Sequence, residues 1–354
     1  MKSSPETVRE HFREQSKNCS ALGSPFTGRL LSLCAERLRE TDAVATHVLN
    51  WPGDGGTYAD NVPLRLAGAL HALVLEAQDT DLTAVYPPHQ AADAALWAAV
   101  SAALTRHETR LRDWLTRAPQ TNEVRRASAL VPALHMVARA TGLPLALREV
   151  GCSGGLNLRC AAFAVQAGDI AYGPPDATLR LSPDWDGPAP HPAHLQIESL
   201  AGTDLAPVRP ETPAGQLTLK AYTWPDQTDR LERIDIASRI ARTAPASIET
   251  ADALDWMASG AVDPRHGVAT VLFHTVAWQY LPPVAKERGA ALLAQLAAKA
   301  TKDAPLAHIS LEADGSQPGG ALTLQLWPDD GRLYQLGRVD FHGRWVRWTG
   351  PVAL

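Results

Sequence analysis

The sequence is poor in cysteine, in net charge and in long apolar runs, and each shortage closes off a class of protein. Four cysteines in 354 residues, Cys19, Cys34, Cys152 and Cys160, are too few and too irregularly spaced for a disulfide framework, and no C-x-x-C pair suggests zinc. They read as reduced thiols. A net charge of −5 gives no general attraction to nucleic acid or anionic lipid. The Ala-rich run "AADAALWAAVSAAL" falls short of the roughly 18 residues that span a bilayer and contains Asp93. The opening "MKSSPETVREHFREQSK" lacks the apolar core of a secretory signal. These shortages predict a cytoplasmic protein with a small-molecule substrate and neither nucleic acid nor membrane as partner. They leave the oligomeric state open.

A hydrophobic content of 45% beside 20% charged residues supplies a sizeable core. The chain exceeds the roughly 250–300 residues at which single cores stop growing, so two lobes are expected. Up to about Thr141 apolar residues recur at helical spacing, most clearly over Phe26–Leu38, Leu64–Leu75, Ala91–Leu115 and Val124–Ala138. After Gly142-Leu143-Pro144 short apolar runs alternate with helical segments. Strands are expected at Leu145–Val150, "ATLRLS", "LQIESLAG", "LTLKAYTW", "VATVLFH", "LAHISLEADG" and "ALTLQLW". Helices are expected from about Leu156, around Leu231, Ile234, Ile236 and Ile240, and at "GAALLAQLAAKA", with a closing hairpin around Phe341–Trp345. The pattern predicts an α/β fold, a mostly parallel sheet with an antiparallel C-terminal end. An all-helical cap over residues 1–141 would precede a sheet domain over 142–354, with a turn-rich insert at about 159–195.

One stretch decides the chemistry. "LREVGCSGGLNL", Leu147–Leu158, satisfies both G-x-S-x-G, the nucleophile elbow of serine hydrolases, and E-x-G-x-S-x-G, a variant of the acidic glycine loop that holds a nucleotide-like cofactor. An elbow sits mid-sheet, with strands before it. Everything upstream here reads as helical, which puts the loop after the first strand, where a cofactor loop belongs. Downstream, a strand ending in Gly202-Thr203-Asp204 supplies a carboxylate that could accept from two ribose hydroxyls.

"LREVGCSGGLNL" resembles motif I of class I S-adenosylmethionine-dependent methyltransferases, and "GTDLAPV" resembles their second motif. Over nearly its whole length the chain resembles a bacterial member of the domain-of-unknown-function family 2332, through "SALGSPF", "TNEVRRASAL", "EVGCSGGLNL", "TWPDQTDRL" and "FHTVAWQYL" in that order. The resemblance implies a Rossmann-like methyltransferase core without a settled reaction, and S-adenosylmethionine as cofactor. It implies that Gly151 and Gly155 let the backbone approach the cofactor, with Ser153 replacing the usual middle glycine. It further implies Glu149 near the methionine end, Asp204 on the ribose and Asp252, in "IETADALDW", at the adenine amino group.

Methyl transfer asks little of a protein beyond an aligned nucleophile and, for a protonated acceptor, a base. The loop after "VATVLFH" brings His274, Trp278 and Tyr280 to the cofactor mouth, and Glu312 closes the strand "LAHISLE" on the same rim. His274 is the candidate base, Tyr280 and Glu312 further candidate catalytic groups, and Trp278 a wall for substrate. Glu123 and Arg126 of "TNEVRRASAL" are candidate substrate residues on a lid, against a plain solvated helix start. Two other functions stay open: a non-catalytic cofactor-binding scaffold or sensor, and a serine hydrolase acting through Ser153.

Overall fold

The computed structural model describes residues 4–57 and 59–354. The first helices, α1 (Pro5–Ala21) and α2 (Pro25–Arg37), start alike. Ser4 accepts from the Thr7 amide at 3.1 Å and Ser24 from the Thr27 amide at 3.3 Å, while the proline that follows has no amide to leave unsatisfied. Next come α3 (Ala43–Leu49), α4 (Val62–Leu75) and α5 (Thr80–Thr83), capped by Asp42, Asn61 and Asp79. The single helix expected over Ala91–Leu115 is two, α6 (Asp93–Arg106) and α7 (Glu108–Leu115). The break falls at His107, whose Nε2 lies 2.9 Å from the buried Asp79 carboxylate.

A 3-10 turn at Val124–Arg126 leads into α8 (Ala127–Thr141), which Gly142 ends in the left-handed conformation, φ +65°. Strand β1 (Leu145–Val150) follows. The helix expected from Leu156 is only a 3-10 turn, Asn157–Ala162. In an α-helix the Gly155 carbonyl would bond the Arg159 amide. Here it accepts from the Arg159 guanidinium at 2.6 Å, and the Arg159 amide turns to Leu156 O at 3.2 Å. The expected insert holds β2 (Ala164–Ala167), β3 (Ile170–Tyr172) and β4 (Arg180–Leu181), a small sheet of order β3-β2-β4, and then β5 (Asp184–Asp186). Of "ATLRLS" only Arg180 and Leu181 are strand, and they lie in this small sheet.

After β6 (Ile197–Asp204) the expected strand "LTLKAYTW" is instead mostly helix, α9 (Pro213–Ala221). Thr212 caps it, accepting from the Gly215 amide at 3.1 Å, Pro213 takes the first position, and Gly215, Leu219 and Tyr222 are buried at helical spacing. The rest are α10 (Thr228–Thr243), β7 (Ser247–Thr250), α11 (Ala253–Ala258), β8 (Ala269–Thr275), a 3-10 turn at Trp278–Tyr280, α12 (Pro283–Ala298), β9 (Leu306–Glu312), β10 (Gly320–Trp327), β11 (Tyr334–Val339) and β12 (Trp345–Ala353).

The chain forms two compact units, one running up to Thr121 and including Thr212–Ile234, the other Asn122–Glu211 with Asp235–Leu354. The break expected after Thr141 thus falls after Thr121, because α8 packs with the strands. In the helical unit α4 is the buried centre, and Gly68 on it makes room for Tyr222: a Cβ there would lie 2.6 Å from the Tyr222 ring.

The second unit is built on a nine-stranded sheet of order β5-β12-β11-β10-β9-β8-β1-β6-β7. From β7 to β9 all pairs are parallel, and β9 to β12 run antiparallel. Numbered along the chain, the parallel strands stand 3-2-1-4-5, so the order reverses between β1 and β8. Both strands are buried along their whole length, as central parallel strands covered on two faces must be. Val150, Leu272 and Leu306 meet Leu254, Trp256, Met257 and Leu296 of α11 and α12. The small sheet packs on α8, where the His135 ring lies 4.8 Å from that of Tyr172 on β3, and His135 Nδ1 also accepts from the Ala193 amide beyond β5 at 3.1 Å.

Candidate functional site

In an open parallel sheet the crevice lies outside the carboxyl ends of the strands where their order reverses. Here that point carries the loop after β1, flanked by the ends of β6 and β8. The loop takes three left-handed turns, at Gly151 (φ +66°), Ser153 (φ +51°) and Gly155 (φ +61°). Two are glycines, for which this conformation costs little; Ser153 accepts the strain of order 1–2 kcal/mol. Across the strand pair, the Ser153 amide donates to Asp204 Oδ2 and the Ala206 amide to Oδ1, both at 2.9 Å. Asp204 is half-buried, and a carboxylate with about four acceptor positions keeps room for further donors.

The glycines make way for protein rather than for open space. A Cβ on Gly151 would stand 2.6 Å from the Ala277 methyl, and one on Gly155 2.7 Å from Ile248 Cδ1. Gly151 is nonetheless exposed, whereas Ser153 is 4% exposed.

Beneath the loop lies Glu149, 2% exposed, with no hydrogen-bond partner on Oε2. Burial pushes its carboxyl well above the usual carboxylate range and the Asp204 charge adds to that, against the pull of Arg126 and Arg159. Burial thus favours the protonated form of Glu149 over the ionised one. The polar segment before α8 is buried against the same loop: Asn122 Oδ1 accepts from the Leu156 amide at 2.9 Å, and Asn157 Nδ2 donates to Glu123 O at 3.2 Å. Glu123 caps its own 3-10 turn through the Arg125 amide at 3.0 Å. Arg126 donates to Thr275 O at 3.0 Å and Phe341 O at 2.9 Å. The two residues expected on a lid, Glu123 and Arg126, are 3% and 7% exposed and bond to Asn157 beyond the loop and to the end of β8.

On the other side of β1, His274 Nδ1 lies 2.7 Å from Glu312 Oε1, and His274 Nε2 lies 3.0 Å from His308 Nε2. Trp278 stacks on the His274 ring at 4.8 Å and 17°. Burial pushes Glu312 upward, but the His274 hydrogen bond and charge and the Ala277 and Trp278 amides outweigh it, leaving the carboxyl below its ordinary range. Burial, helped by His274, drives the His308 imidazole down to about 3. Tyr280 is half-exposed at the end of this loop. Asp252 caps α11, accepting from the Leu254 and Asp255 amides at 2.9 and 3.2 Å.

The structure thus gathers Glu149, Gly151, Ser153, Gly155 and Asp204 around one loop, with His274, Trp278, Tyr280 and Glu312 at the ends of β8 and β9. Sequence reasoning missed Arg159, which gathers the Gly154 and Gly155 carbonyls at 3.3 and 2.6 Å and the Ala244 carbonyl at 2.8 Å. Its position four residues beyond Gly155, where it reaches back over the loop, was the available signal. Among the described residues no group of three His, Cys, Asp or Glu is arranged to hold a metal, and no helix is long and apolar enough to cross a membrane.

Fold and site define a mixed α/β protein with a glycine loop at the strand reversal of a mostly parallel sheet. The chain belongs to the bacterial family described as "Uncharacterized protein conserved in bacteria (DUF2332)", which matches residues 9–348. No curated protein matches it. Among solved structures it is similar to a crystal structure of SCL7 in Oryza sativa, 14% identical over 70% of this chain and 65% of that one, with a TM-score of 0.24; a likeness this low carries no argument.

Proposed function

We propose that this protein binds S-adenosylmethionine in the crevice beyond β1 and β6 and is a methyltransferase for a small molecule. The observation that carries the reading is the pairing of Asp204 with the Ser153 amide, 2.9 Å apart, at the strand reversal. A carboxylate held there beside a glycine loop, in a Rossmann-like strand order, suits the two hydroxyls of a ribose. The motif resemblance of "EVGCSGGLNL" and "GTDLAPV" points the same way.

The residues fit such a group unevenly. Asp204 keeps acceptor positions and Gly151 is exposed, which suits a cofactor lying over the loop. Glu149, its carboxyl raised by burial and its Oε2 without a hydrogen-bond partner, suits a polar contact toward the methionine end. Asp252 offers a half-buried carboxylate near the adenine place, while Gly155 is taken up by packing against Ile248. What the cofactor supplies when bound is a methyl group activated on a sulfonium. The chain's own part is to hold the acceptor in line, with Trp278 and Tyr280 beside the mouth.

A second reading, a non-catalytic sensor or scaffold that keeps the cofactor site, is favoured by one observation. His274, the candidate base, spends both ring nitrogens on Glu312 and His308.

Calorimetric titration of the purified protein with S-adenosylmethionine and S-adenosylhomocysteine tests the reading, with Asp204→Ala and Asp204→Asn as variants. Micromolar binding that weakens at least tenfold in both variants, about 1.4 kcal/mol, with their melting temperatures retained, supports the site. No binding by the folded wild type removes both cofactor readings. Binding without methyl transfer across an acceptor screen leaves the sensor.

A further inference from the structure

We infer that Glu312 and His274 are positioning residues that fix the loop after β8, and with it the crevice wall beside Gly151, rather than the acid and base of a reaction. Glu312 accepts from three consecutive amides: Ala277 and Trp278 on Oε1 at 3.0 and 3.1 Å, and Gln279 on Oε2 at 3.1 Å. His274 Nδ1 adds a fourth bond to the carboxylate, the third on Oε1, at 2.7 Å. An ionised carboxylate only accepts, so Nδ1 is the donor in that contact. The other nitrogen is held by His308 at 3.0 Å, which fixes the rotation of the ring on which Trp278 stacks.

The same loop is stitched to β9 at two further points, by the Val276 amide to Leu311 O at 2.8 Å and by the Ala313 amide to Gln279 Oε1 at 3.1 Å. Val276 stands at φ +52°. A β-branched residue takes that conformation only where its surroundings impose it, and the amides that follow it, all on one carboxylate, are the imposing contact. The loop so shaped aims Ala277 at Gly151 and leaves Tyr280 at the mouth. Only the effect on cofactor affinity rests on the function proposed above; the shaping of the loop does not.

The test uses the full chain without cofactor. Hydrogen exchange is followed in Glu312→Gln and His274→Gln, with Glu287→Gln on the exposed side of α12 as control, and imidazole nitrogen resonances are recorded alongside. The expected result is at least tenfold faster exchange of the 276–280 amides in Glu312→Gln, unchanged protection of β1 and β6, and a shifted His274 Nδ1 resonance. His274→Gln should speed the same amides less, since the carboxylate remains. Unchanged exchange at 276–280 would overturn the inference, as would equal loss across the whole sheet, which marks general destabilisation. If wild type binds S-adenosylmethionine, Glu312→Gln should weaken it several-fold. If wild type does not bind, the cofactor reading fails while exchange still decides the role of Glu312.

Discussion

Gly151, after β1, and Ala277, after β8, stand so close that a Cβ on Gly151 would lie 2.6 Å from the Ala277 methyl. Gly142 has nearly the same backbone, φ +65° against φ +66°, but nothing within 4 Å of its missing Cβ. Gly142→Ala should therefore cost only the left-handed strain, about 1–2 kcal/mol. Gly151→Ala should cost that and a further 1–3 kcal/mol or so of overpacking. Chemical denaturation of the two variants measures the difference, and equal losses would mean the loop after β8 yields freely.

Glu149→Gln should change how stability depends on pH. The buried Glu149 carboxyl is raised well above its ordinary range, so the fold keeps a proton that the unfolded chain releases above about pH 4.3. Its contribution is whole below that value and drains as pH rises toward the folded pKa. Between pH 5 and 8 the variant should lose less melting temperature than wild type. Groups common to both proteins, such as Glu312 and His308, cancel in the comparison. Parallel curves would show that Glu149 is ionised in the fold.

A fluorophosphonate probe should leave Ser153 unlabelled in the native protein. Ser153 has the left-handed backbone of an elbow, but it is 4% exposed, and His274 has both nitrogens committed elsewhere. Stoichiometric labelling, abolished in Ser153→Ala, would restore the hydrolase reading.

All four thiols should resist a water-soluble disulfide reagent until the chain unfolds. Burial pushes Cys19, Cys34 and Cys160 up to about 12, and raises Cys152 as well. The thiolate is the reacting form. Mass spectrometry should find no adduct natively and four in denaturant. Selective native reaction of Cys152 would reveal opening of the glycine loop.

Much of this architecture is legible along the chain. The apolar runs of β1 and β8, the strands β6, β9 and β10 and the helical start stand where periodicity puts them, because burial of one face or two imprints a period on the sequence. The segment "LTLKAYTW" shows where that fails. Leu217 and Leu219 alternate as in a strand, but Thr212 and Pro213 cap a helix, and packing of Tyr222 against Gly68 uses it. Likewise Glu123 and Arg126 read along the chain as substrate residues on a lid or as a solvated helix start, since their partners Asn157, Thr275 and Phe341 come from distant parts of the chain.

The sequence by itself determined strands β1, β6, β8, β9 and β10, the glycine loop and the carboxylate of Asp204 at the end of β6, since each depends on residues within a few positions of one another. Only the tertiary structure decided what the charged groups do. Ser153 and Asp204 are 51 residues apart, and His274 and Glu312 are 38 apart. Strand order brings such pairs to one edge of the sheet. Burial there holds the Glu149 carboxyl well above the usual carboxylate range, while His274 and the loop amides hold that of Glu312 below it.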